Sequence, residues 1–286
     1  MVDLEHFKGY YDRAKYLQDN SNLGGKPYNS GDPLMDNNPI YDCVERRYAG
    51  FSNVPQDYFL RHENPKWYKQ TEERKQVILN YQSHDTVTQW WMLLVHRCTG
   101  SGASFGPDHG YRNSIVHHLP VLIYIDHMIQ TMLEWKQNNI PMFTSIGNQP
   151  PAPKKGVSNV DFLTNEAPNL LRTLYLHVGN SDRKWTHKEV VDFLNDYNIQ
   201  EGHRRFNFAY SAFAMDLSDY YPELVDEDSH CYIGNNAKRA VKEVFGHQRF
   251  DEAMDILRDT TGGKPKDLED VLCDYVRYLK GYTFNE

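Results

Sequence analysis

A helical spacing of apolar residues near the end of the chain most strongly constrains its fold. Six apolar residues recur there at offsets of 0, 3, 4, 7, 8 and 11 positions: Leu268, Val271, Leu272, Tyr275, Val276 and Leu279. This spacing places all six on one side of an α-helix, and we predict that the helix starts at Asp267. No segment shows the apolar–polar alternation of a half-buried strand. The sequence therefore predicts a mainly helical, all-α fold.

The same periodicity predicts helices elsewhere in the chain. Residues 4–17 are amphipathic, and Thr186 and Glu189 have the spacing of a capping box ahead of a further helix. An apolar run at 90–95 predicts a buried helix that ends at Arg97. We also predict helices over residues 120–137, 166–177 and 204–217, and a tight turn that feeds another helix within residues 232–239.

Length and composition bound the size of the fold. The chain has 286 residues, of which 40% are hydrophobic, so it can form a sizeable core. Prolines and glycines concentrate in residues 141–158, which we interpret as a linker or a mobile lid. We therefore predict one mainly helical domain over residues 1–286, or two lobes joined by that segment. No stretch approaches eighteen apolar residues, so no membrane span is expected.

Charge restricts the class of partner. The formal net charge of -8 argues against non-specific binding of nucleic acid through bulk charge. Local basic clusters are still present, such as Arg204 with Arg205, and Lys238 and Arg239 with Lys242. A local basic groove is compatible with these clusters, although most such runs are solvated faces.

Residues 96–113 have an unusual inventory for a connection between two apolar segments. They contain four glycines, two arginines, two histidines and several hydroxyls. Glycine allows a backbone to approach a ligand closely, and turns of this kind next to a helix start can hold an anion. Arg97 and Arg112 could bind a phosphate through two donors each. The alternative interpretation is a long surface loop with a glycine-rich turn.

Four separated pieces of the chain together resemble one family. The first runs from Lys26-Pro27-Tyr28 through Asp32-Pro33 to Val44-Glu45-Arg46, and the second joins Arg97-Cys98-Thr99-Gly100-Ser101-Gly102 to His109-Gly110-Tyr111-Arg112-Asn113. The third is Gly234-Asn235-Asn236-Ala237-Lys238-Arg239, and the fourth is Leu272-Cys273-Asp274-Tyr275-Val276-Arg277-Tyr278. In order and spacing they resemble the bacteriophage α-glutamyl/putrescinyl thymine pyrophosphorylases, or amino acid:DNA transferases. The helical domain of 5-hydroxymethyluracil DNA kinases shares the outer pieces.

The resemblance implies a helix-hairpin-helix DNA-glycosylase-like helical fold. It also implies a transferase that acts in the cytoplasm of the infected bacterial host on double-stranded viral DNA carrying phosphorylated 5-hydroxymethyluracil. An amino acid or polyamine would displace the phosphate or pyrophosphate, giving a hypermodified thymine. A DNA kinase of the same pathway is an implied partner. The sequence has no cofactor signature and no metal set of recognisable spacing.

This chemistry suggests roles for particular residues. The leaving group gains negative charge, and fixed donors would stabilise it. Our candidates for this phosphate and substrate cradle are Arg97, Thr99, Gly100, Ser101, Gly102, Tyr111, Arg112 and Asn113. The amine must lose a proton, and His109, His96 and Asp216 are candidate bases. Each has a structural alternative: a core or helix-end histidine for His96, an ordered loop for His109, and a cap or salt bridge for Asp216.

The expected DNA contacts are Arg46, Gly234, Asn236, Lys238 and Arg239. The family pattern at the hairpin is Gly-Pro-Gly-Ala-x-Arg-Gly, from which this chain departs at Asn235, Asn236 and Ala240. Asparagine tolerates left-handed backbone conformations, so a turn remains feasible. Because the second and third glycines of the family pattern are replaced, we expect this backbone to pack less closely on a DNA phosphate than in the family.

Three other classes compete with the transferase. A metal-dependent phosphohydrolase would draw on a histidine-rich window: His109, His117, His118, Asp126 and His127. A DNA glycosylase is compatible with the implied fold and would release a free base. A non-catalytic DNA-binding module is the third class, and the acidic net charge argues weakly against it.

Overall fold

The computed structural model of the protein describes residues 4–19, 85–99, 125–140, 142–143, 153–246 and 249–279. These residues belong to two compact units. The first unit combines residues 4–19 with 227–279, and the second comprises the described residues between 85 and 226. The predicted linker or lid at 141–158 falls within the second unit, so the division between the units lies elsewhere in the chain.

Helices account for most of the described residues. They are α1 (Leu4–Asp19), α2 (Thr86–Thr99), α3 (Ile125–Gln137), α4 (Asn159–Asp161), α5 (Ala167–Gly179), α6 (His187–Gln200), α7 (Asn207–Tyr220), α8 (Asn235–Phe245), α9 (Phe250–Thr261) and α10 (Pro265–Leu279). A π turn (Phe162–Glu166) joins α4 to α5, and two short parallel strands, β1 (Trp185–Thr186) and β2 (Val225–Asp226), pair with each other. The prediction of an all-α fold is confirmed, while the finer helix-hairpin-helix assignment stays a prediction. None of the helices described here combines the length and apolarity needed to cross a membrane.

In the first unit, α1, α8, α9 and α10 enclose a core. The predicted apolar face of α10 is buried, except that Leu279 at its end is only partly covered. α10 starts at Pro265, two residues before the predicted start, because proline suits the first turn of a helix. Tyr275 is fully buried, with its hydroxyl 2.6 Å from His6 Nδ1 and its ring edge-on to Phe7. These contacts fix α1 to α10.

Two glycines beside or within α1 should respond oppositely to alanine. A Cβ at Gly263 would lie 2.7 Å from Tyr11 Cζ, so Gly263→Ala should lower the free energy of unfolding by about 1–3 kcal/mol. Gly9 lies inside α1, and a Cβ there would meet nothing within 4 Å. Gly9→Ala should therefore raise the free energy of unfolding by about 0.5–1 kcal/mol. Urea denaturation measures both, and changes of the same sign would contradict the close approach of Tyr11 to Gly263.

In the second unit, α2 supplies six consecutive buried residues, 90–95, to the core. A helix that is apolar on all sides must be surrounded by other elements, and α2 packs against both α5 and α7. α2 continues to Thr99, two residues beyond the predicted end at Arg97. The apolar run therefore predicted the burial of this helix correctly and its end only approximately.

A proline couples the π turn to the position of α2. The N–H of Ala167 bonds to the carbonyl five residues before it, as is typical of a π turn. Pro168 follows and has no N–H, so neither residue donates to the Leu163 carbonyl. The indole of Trp91 on α2 donates to that carbonyl instead, at 2.7 Å. The π turn thus leaves the Leu163 carbonyl available to Trp91, and this bond anchors α2.

The capping box predicted at the start of α6 is confirmed. Thr186 Oγ1 accepts the Glu189 N–H at 3.1 Å, and Glu189 Oε2 accepts the Thr186 N–H at 2.8 Å. Arg183 binds the same carboxylate through both terminal nitrogens. The Arg183 guanidinium and the Thr186 amide lower the pKa of Glu189 to about 2. The carboxylate is therefore ionised, and available as a cap, at neutral pH.

Asparagine side chains set the start of α7. Asn195 Oδ1 accepts the Phe206 N–H at 2.8 Å, and Asn198 Nδ2 donates to the Arg204 carbonyl at 3.3 Å. These bonds hold residues 204–206 in a loop. The predicted start of this helix at residue 204 is therefore wrong, and α7 begins at Asn207.

Other element boundaries also differ from the predictions. The helix predicted at 166–177 is longer, because α4 and the π turn carry it back to Asn159. The sequence analysis missed α9, whose buried residues are Ala253, Met254 and Leu257. It also missed β1 and β2, which are too short to show alternation. For the helix predicted at 120–137, residues 120–124 lie outside the described part, and α3 begins at Ile125.

Candidate functional site

Arg97 and Asp216, which the sequence singled out separately, form one ion pair. Arg97 lies in the last turn of α2, and Asp216 lies on α7, 119 residues later. Arg97 Nε donates to Asp216 Oδ2, and Nη2 donates to Oδ1, each at 2.5 Å. Two parallel bonds fix the plane of the guanidinium as well as its distance from the carboxylate.

The two partners differ in their access to water. The side chain of Asp216 is 1% exposed, whereas that of Arg97 is 18% exposed. A buried carboxylate needs a cation or several hydrogen-bond donors, and the pairing explains the acidic residue in a buried stretch of α7. Because both carboxylate oxygens bind the guanidinium, the geometry favours a positioning role for Asp216. Its role as a general base stays a prediction.

Cys98 follows Arg97 on α2 and is buried. Burial raises the pKa of its thiol to about 12. The neutral thiol is therefore the form present at physiological pH, and a thiol is a far weaker nucleophile than a thiolate. Cys98 acts as a packing residue beside the Arg97–Asp216 pair.

Most other candidates from residues 96–113 are not described by the structure. Gly100, Ser101, Gly102, His109, Tyr111, Arg112 and Asn113 lie outside the described residues, as does Arg46. His96 and Thr99 lie on α2, where only their backbone is described. The roles assigned to all of them stay predictions.

The predicted hairpin residues lie at the start of α8. Gly234 is the N-cap of α8 and has an extended backbone conformation. Its N–H donates to Glu269 Oε1 on α10 at 3.1 Å, in a buried position. Asn236 Nδ2 lies 3.6 Å from Cys273 Sγ, also on α10. The third and fourth pieces of the resemblance therefore pack together, and the Gly234 amide points at a carboxylate of the same unit.

The cations of α8 have different surroundings. Lys238 Nζ lies 5.0 Å from the centroid of the Tyr232 ring and 5.5 Å from that of Phe250. Cation–π contacts of this kind hold an ammonium group in place. Arg239 and Lys242 are exposed. The side chains of α8, more than its first amide, are therefore suited to contacting an anionic surface.

A second polar pair was missed by the sequence analysis. His203 Nε2 lies 2.6 Å from Glu166 Oε2, and His203 Nδ1 accepts the Lys154 N–H at 3.0 Å. The His203 side chain is 0% exposed, and that of Glu166 is 26% exposed. No spacing rule links residues so far apart in the chain. The only available signal was a histidine directly after Gly202 in a polar turn.

The metal-dependent alternative finds no assembled site in the part of the chain that the structure describes. No group of three or more His, Cys, Asp or Glu side chains is arranged there to hold a metal ion. Asp126 and His127 lie exposed on α3. His109, His117 and His118 lie outside the described residues.

In the second unit, distant polar residues are thus brought together where Arg97 meets Asp216, and where His203 meets Glu166 and Lys154. In the first unit, α8 and α10 join two of the four pieces on which the resemblance rests. In comparisons with known proteins, no family model, no curated protein and no solved structure matches the chain.

Proposed function

We propose that this protein is a transferase that hypermodifies thymine in bacteriophage DNA. Its substrate would be 5-hydroxymethyluracil that carries a phosphate or pyrophosphate, and an amino acid or polyamine would displace that group. The four sequence pieces that resemble thymine pyrophosphorylases support the proposal. The structural observation that carries it is the Arg97–Asp216 pair, at the point where α2 leads into the Gly-Ser-Gly sequence.

A fixed cation suits the departure of an anionic group. Donors stabilise a developing charge best when they need not reorient during the reaction. The Arg97 guanidinium cannot rotate without breaking two bonds to a buried carboxylate, yet its side chain keeps 18% exposure. Asp216 offsets the charge of Arg97, so binding of a phosphate needs a further cation. Arg112 is our candidate for it, and Asp216 is a positioning residue.

The first unit is proposed to contact DNA through α8. The Gly234 amide is bonded to Glu269, so we assign phosphate contact to side chains: Arg239, which is exposed, and Lys238 beside its two aromatic rings. A helix-hairpin-helix arrangement like that of DNA glycosylases is the fold we propose for this role. The reacting methylene is on C5 of the base, which faces the major groove of duplex DNA, and an enzyme that encloses it in a pocket would flip the base out of the helix.

Nucleoside mass spectrometry tests the proposal. DNA containing 5-phosphomethyluracil or 5-pyrophosphomethyluracil is incubated with the protein and a mixture of amino acids and polyamines. We expect a nucleoside heavier than thymidine by an amine substituent. Arg97→Lys keeps the charge but loses the two-bond geometry, and it should slow product formation roughly 100-fold or more.

The matched control is Arg183→Ala. Arg183 also binds a carboxylate through two nitrogens, but at an exposed position, so its removal should leave the rate unchanged. Equal rates for Arg97→Lys and the parent protein would remove Arg97 from the cradle. Release of a free modified base would identify a glycosylase, and unchanged nucleosides with retained DNA binding would leave a binding module.

A further inference from the structure

A buried imidazole joins two segments of the second unit. His203 lies in the loop between α6 and α7, and its ring packs edge-on against Phe162. Its Nδ1 accepts the backbone N–H of Lys154. An accepting nitrogen carries no hydrogen, so the ring hydrogen is on Nε2, which donates to Glu166 Oε2. The geometry therefore defines His203 as the neutral Nε2–H tautomer.

The bond to Lys154 can exist only while the imidazole is neutral. A protonated histidine is a donor at both ring nitrogens, so an Nδ1–H would face the Lys154 N–H. Two donors cannot bond to each other, and that contact must open. The Nε2–H bond to Glu166, in contrast, becomes an ion pair when the ring gains charge. Protonation therefore breaks one of the two bonds and strengthens the other.

We propose that His203 is a pH-sensitive latch that holds the turn at residues 153–157 against the loop at 201–203. The latch is closed while His203 is neutral and opens when it is protonated. Among the described residues, the other hydrogen bond between these segments is from Lys154 Nζ to the Glu201 carbonyl, at 2.8 Å and exposed to water. The turn runs directly into Ser158, the N-cap of α4. Opening would thus release the turn at 153–157, as far as Ser158, from the loop at 201–203.

Charged and titratable groups from several elements surround the His203 ring. Glu166 faces the ring from the π turn, and Lys154 faces it from the turn at 153–157. Tyr197 lies in the last turn of α6, and Glu201 caps the end of that helix. Arg204, which is exposed, follows His203 in the chain. Burial raises the pKa of Tyr197, and the negative charges of Glu201 and Glu166 raise it further. Its phenol therefore stays neutral below pH 8. Imidazole is the side-chain type in this set that ordinarily changes charge between about pH 5 and 8.

Hydrogen exchange by NMR tests the latch. The protection factor of the Lys154 amide, corrected for the intrinsic effect of pH, is followed from pH 8 to pH 5.5. If opening is coupled to the uptake of one proton, the protection should fall as the pH is lowered, by up to about tenfold for each pH unit. The Tyr210 amide lies in the first turn of α7 and bonds to the carbonyl of Phe206, the N-cap of that helix; it reports on the core and should keep its protection.

Two variants separate the latch from a structural role. In His203→Gln, an amide oxygen can accept the Lys154 N–H but does not titrate, so its protection should not depend on pH. In Glu166→Gln, the imidazolium loses its anionic partner, so release should move to lower pH. Constant Lys154 protection in the parent protein would overturn the proposal. The same pH dependence in His203→Gln, or a parallel fall at Tyr210, would also overturn it.

Discussion

Replacing Arg97 by alanine should lower the free energy of unfolding by about 3–5 kcal/mol. This is the size expected when one member of a buried ion pair is removed and the other charge remains. The remaining carboxylate of Asp216 has 1% exposure and would lose the cation that binds both of its oxygens. Urea denaturation followed by tryptophan fluorescence measures the change, since Trp90, Trp91, Trp135 and Trp185 all belong to the second unit.

Changing the acidic partner instead of the arginine should lower the free energy of unfolding by less. Asp216→Asn leaves Arg97 with a neutral partner of the same shape, and the guanidinium has 18% exposure to water. We expect a loss of about 1–3 kcal/mol. The double variant Arg97→Met/Asp216→Leu removes both charges and should be more stable than Arg97→Ala, because apolar residues of similar size often replace a buried pair at little cost.

Arg183→Ala is again the control. It removes an arginine from an exposed pair, so the loss should be much smaller than that for Arg97→Ala. Equal losses for Arg97→Ala and Arg183→Ala would show that Asp216 does not depend on Arg97. Equal losses for Arg97→Ala and Asp216→Asn would contradict the difference in burial between the two partners.

Sequence reasoning succeeded where the determining interactions are local. The buried face of α10 and the capping box of α6 are set by residues within one or two turns of one another, and both predictions are confirmed. The run at 90–95 also predicted its own burial, because no helix surface with so few polar residues can face water. Local rules failed at the start of α7, where Asn195 and Asn198 on the preceding helix bind the loop backbone.

The pairing of Arg97 with Asp216 could be foreseen only in part. A carboxylate in an apolar helix predicts a partner of opposite charge, and a salt bridge was one alternative for Asp216. No pattern in one sequence identifies a partner 119 residues away. The hairpin shows the same limit: the turn at Gly234 was predicted, but its bond to Glu269 depends on how α8 meets α10.

Replacing Trp91 by phenylalanine should lower the free energy of unfolding by about 2–4 kcal/mol. Part of this loss comes from the smaller ring in a fully buried position. The rest comes from the Leu163 carbonyl, which would lose the indole donor that lies 2.7 Å away. An unsatisfied buried acceptor costs about 1–3 kcal/mol. Urea denaturation with circular dichroism detection measures the change without relying on the removed fluorophore.

Trp90 provides a matched control in the adjacent position. It is as fully buried as Trp91, but no described residue accepts a hydrogen bond from its indole Nε1. Trp90→Phe therefore removes a similar volume without leaving an acceptor unpaired. We expect it to cost at least about 1 kcal/mol less than Trp91→Phe. Equal losses in the two variants would show that the bond to Leu163 contributes little.

Pro168 offers a way to assign the loss to the carbonyl itself. Proline at this position has no N–H, so it cannot donate to the Leu163 carbonyl, which accepts from Trp91 on α2 instead. Pro168→Ala restores a backbone donor five residues after Leu163, within reach of a π-type bond. Trp91→Phe should then cost about 1 kcal/mol less in the Pro168→Ala background than in the parent protein. Additive losses would mean that the indole stabilises α2 by packing alone, and that the proline and the tryptophan act independently.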